Sequence, residues 1–352
     1  MSSDRQIVSS APGRAGVIGN PTDMYGGAVL SCSVPLRARV SITPADALLL
    51  ATNGDTFVVR ERADLRPHGD AFDVVRAVLD YLRLPPLSCR VEYDSDIPLR
   101  SGLAGSTALV VALLHGLLTW MGQPGNSYCL AEKARYVELH HLKVVCGYQD
   151  AYMCTFGGLN YMDFRGKQFY REEEAELFAT IEPIAPYVKQ LPFVLGFTGV
   201  RHSSGAVHKP LRERWLEGDA QVVTGYERIT ELARIGKRAL LTEDWALLAS
   251  VMNENHSIQR DLGGSGESNE RLIAAAMEAG APAAKLAGAG DGGTVIALWP
   301  RQDSSPLEQA LRQAGAQATY RLEPAPGATI AVVPSRSARL GDKGVEGCPT
   351  AG

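Results

Sequence analysis

Along the first forty-odd residues, apolar positions come in short β-branched runs cut by glycine and proline. "QIVSSAPGRAGVIGN" and "GGAVLSCSVPLRARVSITP" therefore predict strands of a mixed sheet. "ALLLATNG" and "TFVVRERA" predict a further strand pair. "DAFDVVRAVLDYL" switches to helical spacing and stops before Pro85-Pro86, which cannot continue a helix. "LSCRVEYDSDIP" reads as a strand leading into "IPLRSGLAGSTALVVALLHGLL". There a glycine- and hydroxyl-rich run gives way to an apolar stretch with no helix breaker until Gly116. A second helix is predicted through "NSYCLAEKARYVELHHLKVV", then a strand at "GGLNYMDF" and a polar segment at "FRGKQFYREEEAE".

The proline-spaced run "IEPIAPYVKQLPF" is a candidate domain boundary. Beyond it the pattern predicts a strand at "FVLGFTGV", a helical stretch from about Val207 to Leu241, and helices around "DWALLASVMNENHSIQRDL" and "NERLIAAAMEAG". "KLAGAGDGGTVIALWP" places a glycine cluster before a strand; the helix "SSPLEQALRQAG" and the strand "ATIAVVP" complete the fold. The polar, glycine-rich run from Ser335 is expected to be disordered. The pattern as a whole predicts an α+β or mixed α/β protein in two lobes.

Composition narrows the function classes. A net charge of −4 and pI near 6.0 leave no basic excess, which argues against nucleic-acid or anionic-membrane partners. The six cysteines are scattered without a CxxC, so they read as reduced thiols of a cytoplasmic protein. Ala108 to Met121 is apolar but shorter than the roughly 20 residues that span a bilayer, so a buried core helix is expected.

The chemistry lies in three glycine-rich turns and two carboxylates. "SGLAGST" feeding a helix suits an anion, because glycines allow close backbone approach and the first-turn N–H groups have no intrahelical partner. The helix dipole adds about half a positive charge there. Ser106 and Thr107 add hydroxyls beside it; the same residues would also fit a plain helix start with Ser106 as its cap. "KLAGAGDGG" and "GVIGNPTDMYGG" are further turns of this kind, as nucleotide sites often require. Glu138 sits on an expected helix, and Asp150 follows 12 positions later at a glycine-containing turn. Carboxylates near a phosphate site can ligate Mg²⁺ or accept the proton of an attacking hydroxyl; either could also be a surface acid. His140 and His141 are adjacent, so on a helix they point about 100° apart and cannot readily share a metal.

Taken together, "APGRAGVIGNPTD", "IPLRSGLAGSTA" and "KLAGAGDGGTVIAL" resemble the three motifs of the GHMP kinase superfamily, in the usual order over nearly the whole chain. "GNPTDMYGG", "GLAGST", "GYQDAYMCTFGGLNYMDF" and "SSGAVHKPLRERWLEGD" resemble the glucuronokinase-type sugar kinases within it. The resemblance implies a two-lobed fold. An N-terminal mixed α/β domain over residues 1–185 would carry a left-handed βαβ-type nucleotide site, and residues 186–334 would form a ferredoxin-like domain. It also implies roles. The backbone of Gly102, Leu103, Ala104, Gly105, Ser106 and Thr107 would wrap the ATP phosphates, and Ser106 and Glu138 would hold Mg²⁺. Asp150 would be the base facing the substrate hydroxyl, held ionised by Arg14. Asn20 and Asp23 would line the sugar site, with Gly288 and Gly290 beneath the substrate and the transferred phosphate. Apart from the resemblance, "GVRHSSGAVH" is a strand-to-helix turn rich in donors, where Arg201, Ser203 and Ser204 could contact the sugar or its carboxylate, against a simple capping role for Ser204.

The expected activity is thus ATP- and Mg²⁺-dependent phosphorylation of the anomeric hydroxyl of D-glucuronate, by a monomer or homodimer. Asn20-Pro21 stand where galactokinases have Glu-His, motif two carries one extra residue, and Leu99 separates Arg100 from the proline. These departures keep open another sugar or cyclitol as acceptor, and whether Ser106 or Thr107 meets the metal. A non-catalytic nucleotide- or sugar-binding relative is the third reading; the presence of Arg14, Ser106, Glu138 and Asp150 weighs against it.

Overall fold

A computed structural model describes residues 5–83, 87–98, 101–167, 177–200, 204–288, 290 and 292–334, without the side chains of 204–209. Two long strands, β1 (Arg5–Ile18) and β2 (Ala28–Pro44), form an antiparallel pair at the centre of the first lobe. The hairpin β3 (Leu48–Thr52) and β4 (Asp55–Val59) precedes α1 (Asp73–Leu82) and β5 (Cys89–Ser95). α2 (Gly105–Trp120), α3 (Ser127–Tyr136) and α4 (Gln149–Phe156) follow, then β6 (Leu159–Asp163) and β7 (Thr180–Pro183). The second lobe runs β8 (Phe193–Phe197), α5 (Ser204–Leu216), α6 (Ala220–Leu241), α7 (Trp245–Asp261) and α8 (Glu267–Glu278). It continues with β9 (Ala283–Leu286), β10 (Thr294–Leu298), α9 (Ser305–Gln313) and β11 (Ala318–Arg321). β12 (Thr329–Pro334) comes last.

Among the described residues the first sheet has the order β12-β1-β2-β5-β3-β4, and β6 adds to the first half of β2 with β7 at its edge. β2 can serve two partners because it is 17 residues long: Ala28–Cys32 pair with β6 and Ala38–Pro44 with β5. β3 and β5 are parallel, with α1 between them in the chain. The second sheet has the order β11-β8-β10-β9, all antiparallel. Numbered within the lobe this is 4-1-3-2, the ferredoxin-like arrangement that the resemblance implied.

The apolar stretch is a buried core helix. Ala108, Val110, Val111, Leu113, Leu114 and Leu117 of α2 are fully buried, so it is covered on nearly every side. Each of these Val and Leu side chains contributes about 1.5–3 kcal/mol through burial. Gly116 lets α2 lie against β1, where Ser9 Oγ donates to the Ala112 carbonyl at 2.7 Å. Among the described residues no helix is long and apolar enough to cross a membrane.

The architecture departs from the sequence pattern in places. The stretch from Val207 to Leu241 is two helices, because Asp219 caps α6 through the amides of Gln221 and Val222 and Gly218 adopts φ +77°. The helix through "NSYCLAEKARYVELHHLKVV" ends early, in a π-helical turn at Val137–His141. β7 lies within the proline-spaced run, and β12 leaves the second lobe to pair with β1. The tail from residue 335 is outside the described residues.

Candidate active site

The turn before α2 is built for a ligand rather than for a side-chain cap. Ala104, the residue before the helix, is left-handed at φ +61°, and no side chain caps the first turn. Ser106 is exposed there rather than capping the helix. The amides of Gly105, Ser106 and Thr107 open the helix, whose dipole makes that end partly positive.

The first motif is strapped to this turn. Arg14 N donates to the Leu103 carbonyl at 3.0 Å, and Arg14 Nη1 donates to the Gly102 carbonyl. A Cβ at Gly13 would stand 2.6 Å from the Leu103 carbonyl oxygen, which is why the motif needs glycine before the arginine. Arg14 then reaches α4, where Nε and Nη2 meet Asp150 Oδ1 at 2.8 and 2.6 Å. Asp150 lies in the first turn of α4 rather than at a glycine turn. Its side chain is 29% exposed and that of Arg14 10%, so the pair is largely buried while Asp150 stays open to solvent.

Glu138 comes from the π-helical turn, a register that helical periodicity does not predict. Its Oε2 accepts from Thr107 Oγ1 at 2.8 Å, and the Ser106 hydroxyl also hydrogen-bonds to it. Burial, together with the charge of Asp150, pushes Glu138 up to about 7; the two hydroxyls and Arg14 pull the other way. A buried carboxylate with only hydroxyls for partners suits a cation.

Asp23 faces the same charges. Burial raises it to about 6, although the amides of Gln149 and Tyr148 both donate to its Oδ2, at 2.8 and 2.7 Å. Asp23 therefore secures the start of the helix that carries Asp150. A Cβ at Gly147 would overlap Asp23 Oδ2. Gly147→Ala should therefore strip these buried amides of their acceptor and cost about 1–3 kcal/mol, read as a lower urea midpoint. An unchanged midpoint would mean that Asp23 is not this helix's anchor.

Asn20 is engaged at both ends of its amide: Nδ2 donates to the Gly288 carbonyl at 2.9 Å, and Oδ1 accepts from Lys285 Nζ at 3.0 Å. It joins the first glycine turn to the third. A Cβ at Gly288 would lie 2.8 Å from the Gly102 carbonyl oxygen, so the second and third turns touch. Gly290 has φ +102° and backs onto the Gly264 carbonyl with no room for a side chain.

Two residues of the site have roles that the sequence pattern does not announce. Asn269 of α8 is fully buried and clamps the third turn, donating to the Gly292 carbonyl at 3.0 Å and accepting from its amide at 2.6 Å. Lys285 opens "KLAGAGDGG", but nothing in that spacing says that its ammonium turns inward. Trp215 of α5 packs with its ring 4.9 Å from that of Tyr25, two residues after Asp23. Arg201 and Ser203, with Arg100, lie outside the described residues, as does the side chain of Ser204. The chain thus brings together Arg14, Asp150, Gly102, Thr107 and Glu138 in one cluster, and Asn20, Gly288 and Lys285 in a neighbouring one.

Three family models match the chain: the GHMP kinases N terminal domain over residues 71–158, the GHMP kinases C terminal over 237–317, and the galactokinase galactose-binding signature over 2–44. Glucuronokinase 1 of Arabidopsis thaliana is 28% identical over 334 residues, covering 86% of this chain and 88% of its own. The D-glycero-alpha-D-manno-heptose 7-phosphate kinase of Campylobacter jejuni is 26% identical over 325 residues, covering 88% and 94%. In structure, Lactococcus lactis galactokinase complexed with galactose superposes with a TM-score of 0.77 at 16% identity, over 92% of this chain and 95% of its own.

Proposed function

The chain belongs to the GHMP kinase superfamily, and on that premise we propose that it transfers the γ-phosphate of ATP to the anomeric hydroxyl of D-glucuronate. One observation carries the catalytic reading: Arg14, Asp150 and Gly102 meet beside the uncapped start of α2, so a base, a cation and an anion-binding turn lie together. Likeness to glucuronokinases over 86% and 92% of the chain supports the choice of acceptor.

In this reading the amides at the start of α2 receive the nucleotide phosphates. Arg14 orients Asp150, and Asp150 takes the proton of the attacking hydroxyl as the phosphoryl group moves in line. Glu138, with the hydroxyls of Ser106 and Thr107, would hold Mg²⁺, which when bound supplies positive charge to the phosphate oxygens. Asp23 holds the base helix in place, and the contact between the second and third turns fixes where donor and acceptor meet. Phosphoryl transfer asks mainly for such positioning and charge neutralisation.

A second reading keeps the kinase and changes the acceptor to a heptose phosphate, which the 26% identity to the Campylobacter enzyme favours. ADP release measured over a panel of uronic acids, neutral hexoses and heptose phosphates separates the two. D-glucuronate is expected to give the highest kcat/KM, with the phosphate on C1 of the product. A heptose phosphate that outpaces glucuronate tenfold would replace it as substrate.

A further inference from the structure

Two buried cations among the described residues meet carboxylates directly. Arg76 is fully buried and meets Asp70 and Asp73 at 2.6 and 2.8 Å; Lys167 meets Glu132 at 2.6 Å. Lys285, near the end of β9, is likewise fully buried, yet its ammonium donates only to Asn20 Oδ1 and the Leu286 carbonyl, both neutral. Among the described residues no carboxylate pairs with it. An ammonium removed from water without a counter-ion is costly, so its place needs a reason.

The charged groups around it deepen the imbalance. Arg14 of β1 is close enough to repel it. His256 of α7 also feels its charge, and behind His256 the carboxylate of Glu270 on α8 is already engaged by that histidine at 3.0 Å and by Ser265. Burial first, and Arg14 second, bring the lysine down to about 7. What Lys285 does touch is the joint between the glycine turns: its partner Asn20 holds the Gly288 carbonyl, and Gly288 rests on Gly102 beside the start of α2.

We propose that Lys285 is a positioning residue whose counter-ion is the phosphate chain of the bound nucleotide, acting through Asn20 on the third glycine turn. This rests on the kinase reading. Among the described residues the ammonium has no counter-charge of its own; bound polyphosphate would match it and hold Asn20 against Gly288. Above neutral pH, a proton from solvent must then join Nζ as the nucleotide binds. For each unit by which the ligand raises the lysine, the protonated chain binds it about tenfold more tightly than the deprotonated one. The unliganded protein follows the opposite sign. Its folded-state lysine lies below the ordinary lysine range, so the unfolded chain holds more protons between pH 7 and that range, and stability rises with pH across that window.

The test is calorimetry of the magnesium complex of adenylyl imidodiphosphate at pH 8, in two buffers of different ionisation enthalpy. Glu138 and Asp23 are mostly ionised at pH 8, so the contrast between wild type and Lys285→Met isolates the lysine. Wild type is expected to take up a substantial fraction of a proton that Lys285→Met does not, with affinity weakened about tenfold. Asn20→Asp places a carboxylate beside the ammonium; the lysine is then charged beforehand, and uptake should fall in a chain that keeps its lysine. That variant carries the test if Lys285→Met does not fold. Uptake unchanged in either variant, in a protein that binds the analogue and turns over sugar, overturns this inference alone. Wild type that binds no nucleotide overturns the kinase reading as well.

Discussion

Asp150→Asn is expected to slow turnover by about 10²–10⁴-fold, the usual contribution of a positioned general base, and to leave ATP affinity nearly intact. The substitution keeps size and one oxygen for Arg14, so the contact at 2.8 Å can persist while the group loses its capacity to take a proton. In the proposed mechanism nucleotide binding draws on other parts: the start of α2, Thr107 and Glu138, and the third turn. Steady-state kinetics give kcat, and calorimetry with a non-hydrolysable analogue gives affinity. A kcat within threefold of wild type would remove Asp150 from the chemistry. A parallel loss of affinity would make it a nucleotide ligand instead.

Such a variant can be chosen from the sequence because the relevant signals are local. Glycine and hydroxyls before an apolar run announce the start of α2, and the anion-binding property follows from backbone chemistry alone. The order of the three turns was equally legible. Their mutual contact was not: Gly102 lies against Gly288 across 186 positions, and no short-range period encodes that. The same limit hid Asn269 and Lys285, whose roles depend on partners brought in from distant segments. β9 is not predicted by the sequence pattern because four residues are too few to show alternation, and both of its faces are buried. β12 looked like a closing strand of the second lobe, since the partner that claims it, β1, lies at the other end of the chain. Glu138 was chosen as a helix residue, but the π-helical turn decides where it points.

Hydroxyl assignment shows how structure refines a motif. Ser106 and Thr107 are adjacent, and sequence favoured Ser106 as the partner of Glu138. The fold gives both a part: Thr107 is buried with Oγ1 on Glu138, whereas Ser106 is exposed and still bonds the same carboxylate. Local chemistry singles out the two hydroxyls, and only packing distinguishes their contacts with Glu138.

Arg14→Met tests the electrostatic design as a whole. Arg14 is the cation that Asp150, Glu138 and Asp23 share: it touches the first and lowers the other two. Its removal should cost about 10²–10³ in kcat, as for loss of one charge-stabilising group at a reacting centre. Breaking a buried pair costs about 3–5 kcal/mol, and the 29% exposure of Asp150 reduces this to about 1–3 kcal/mol of folding stability. The pH dependence gives the sharper signature. Glu138 at about 7 and Asp23 at about 6 would both move higher without the guanidinium, so the acid side of the kcat/KM profile should shift to higher pH. Raised carboxylates hold more protons folded than unfolded, so unliganded stability falls as pH rises through that window. The variant should therefore lose more thermal stability at pH 8 than at pH 5.5. Arg14→Lys keeps the charge but not the fork onto Asp150 and Gly102, and it should recover the pH profile better than the rate. If the methionine variant lost activity with its acid limb unmoved, the three carboxylates would not be coupled through Arg14.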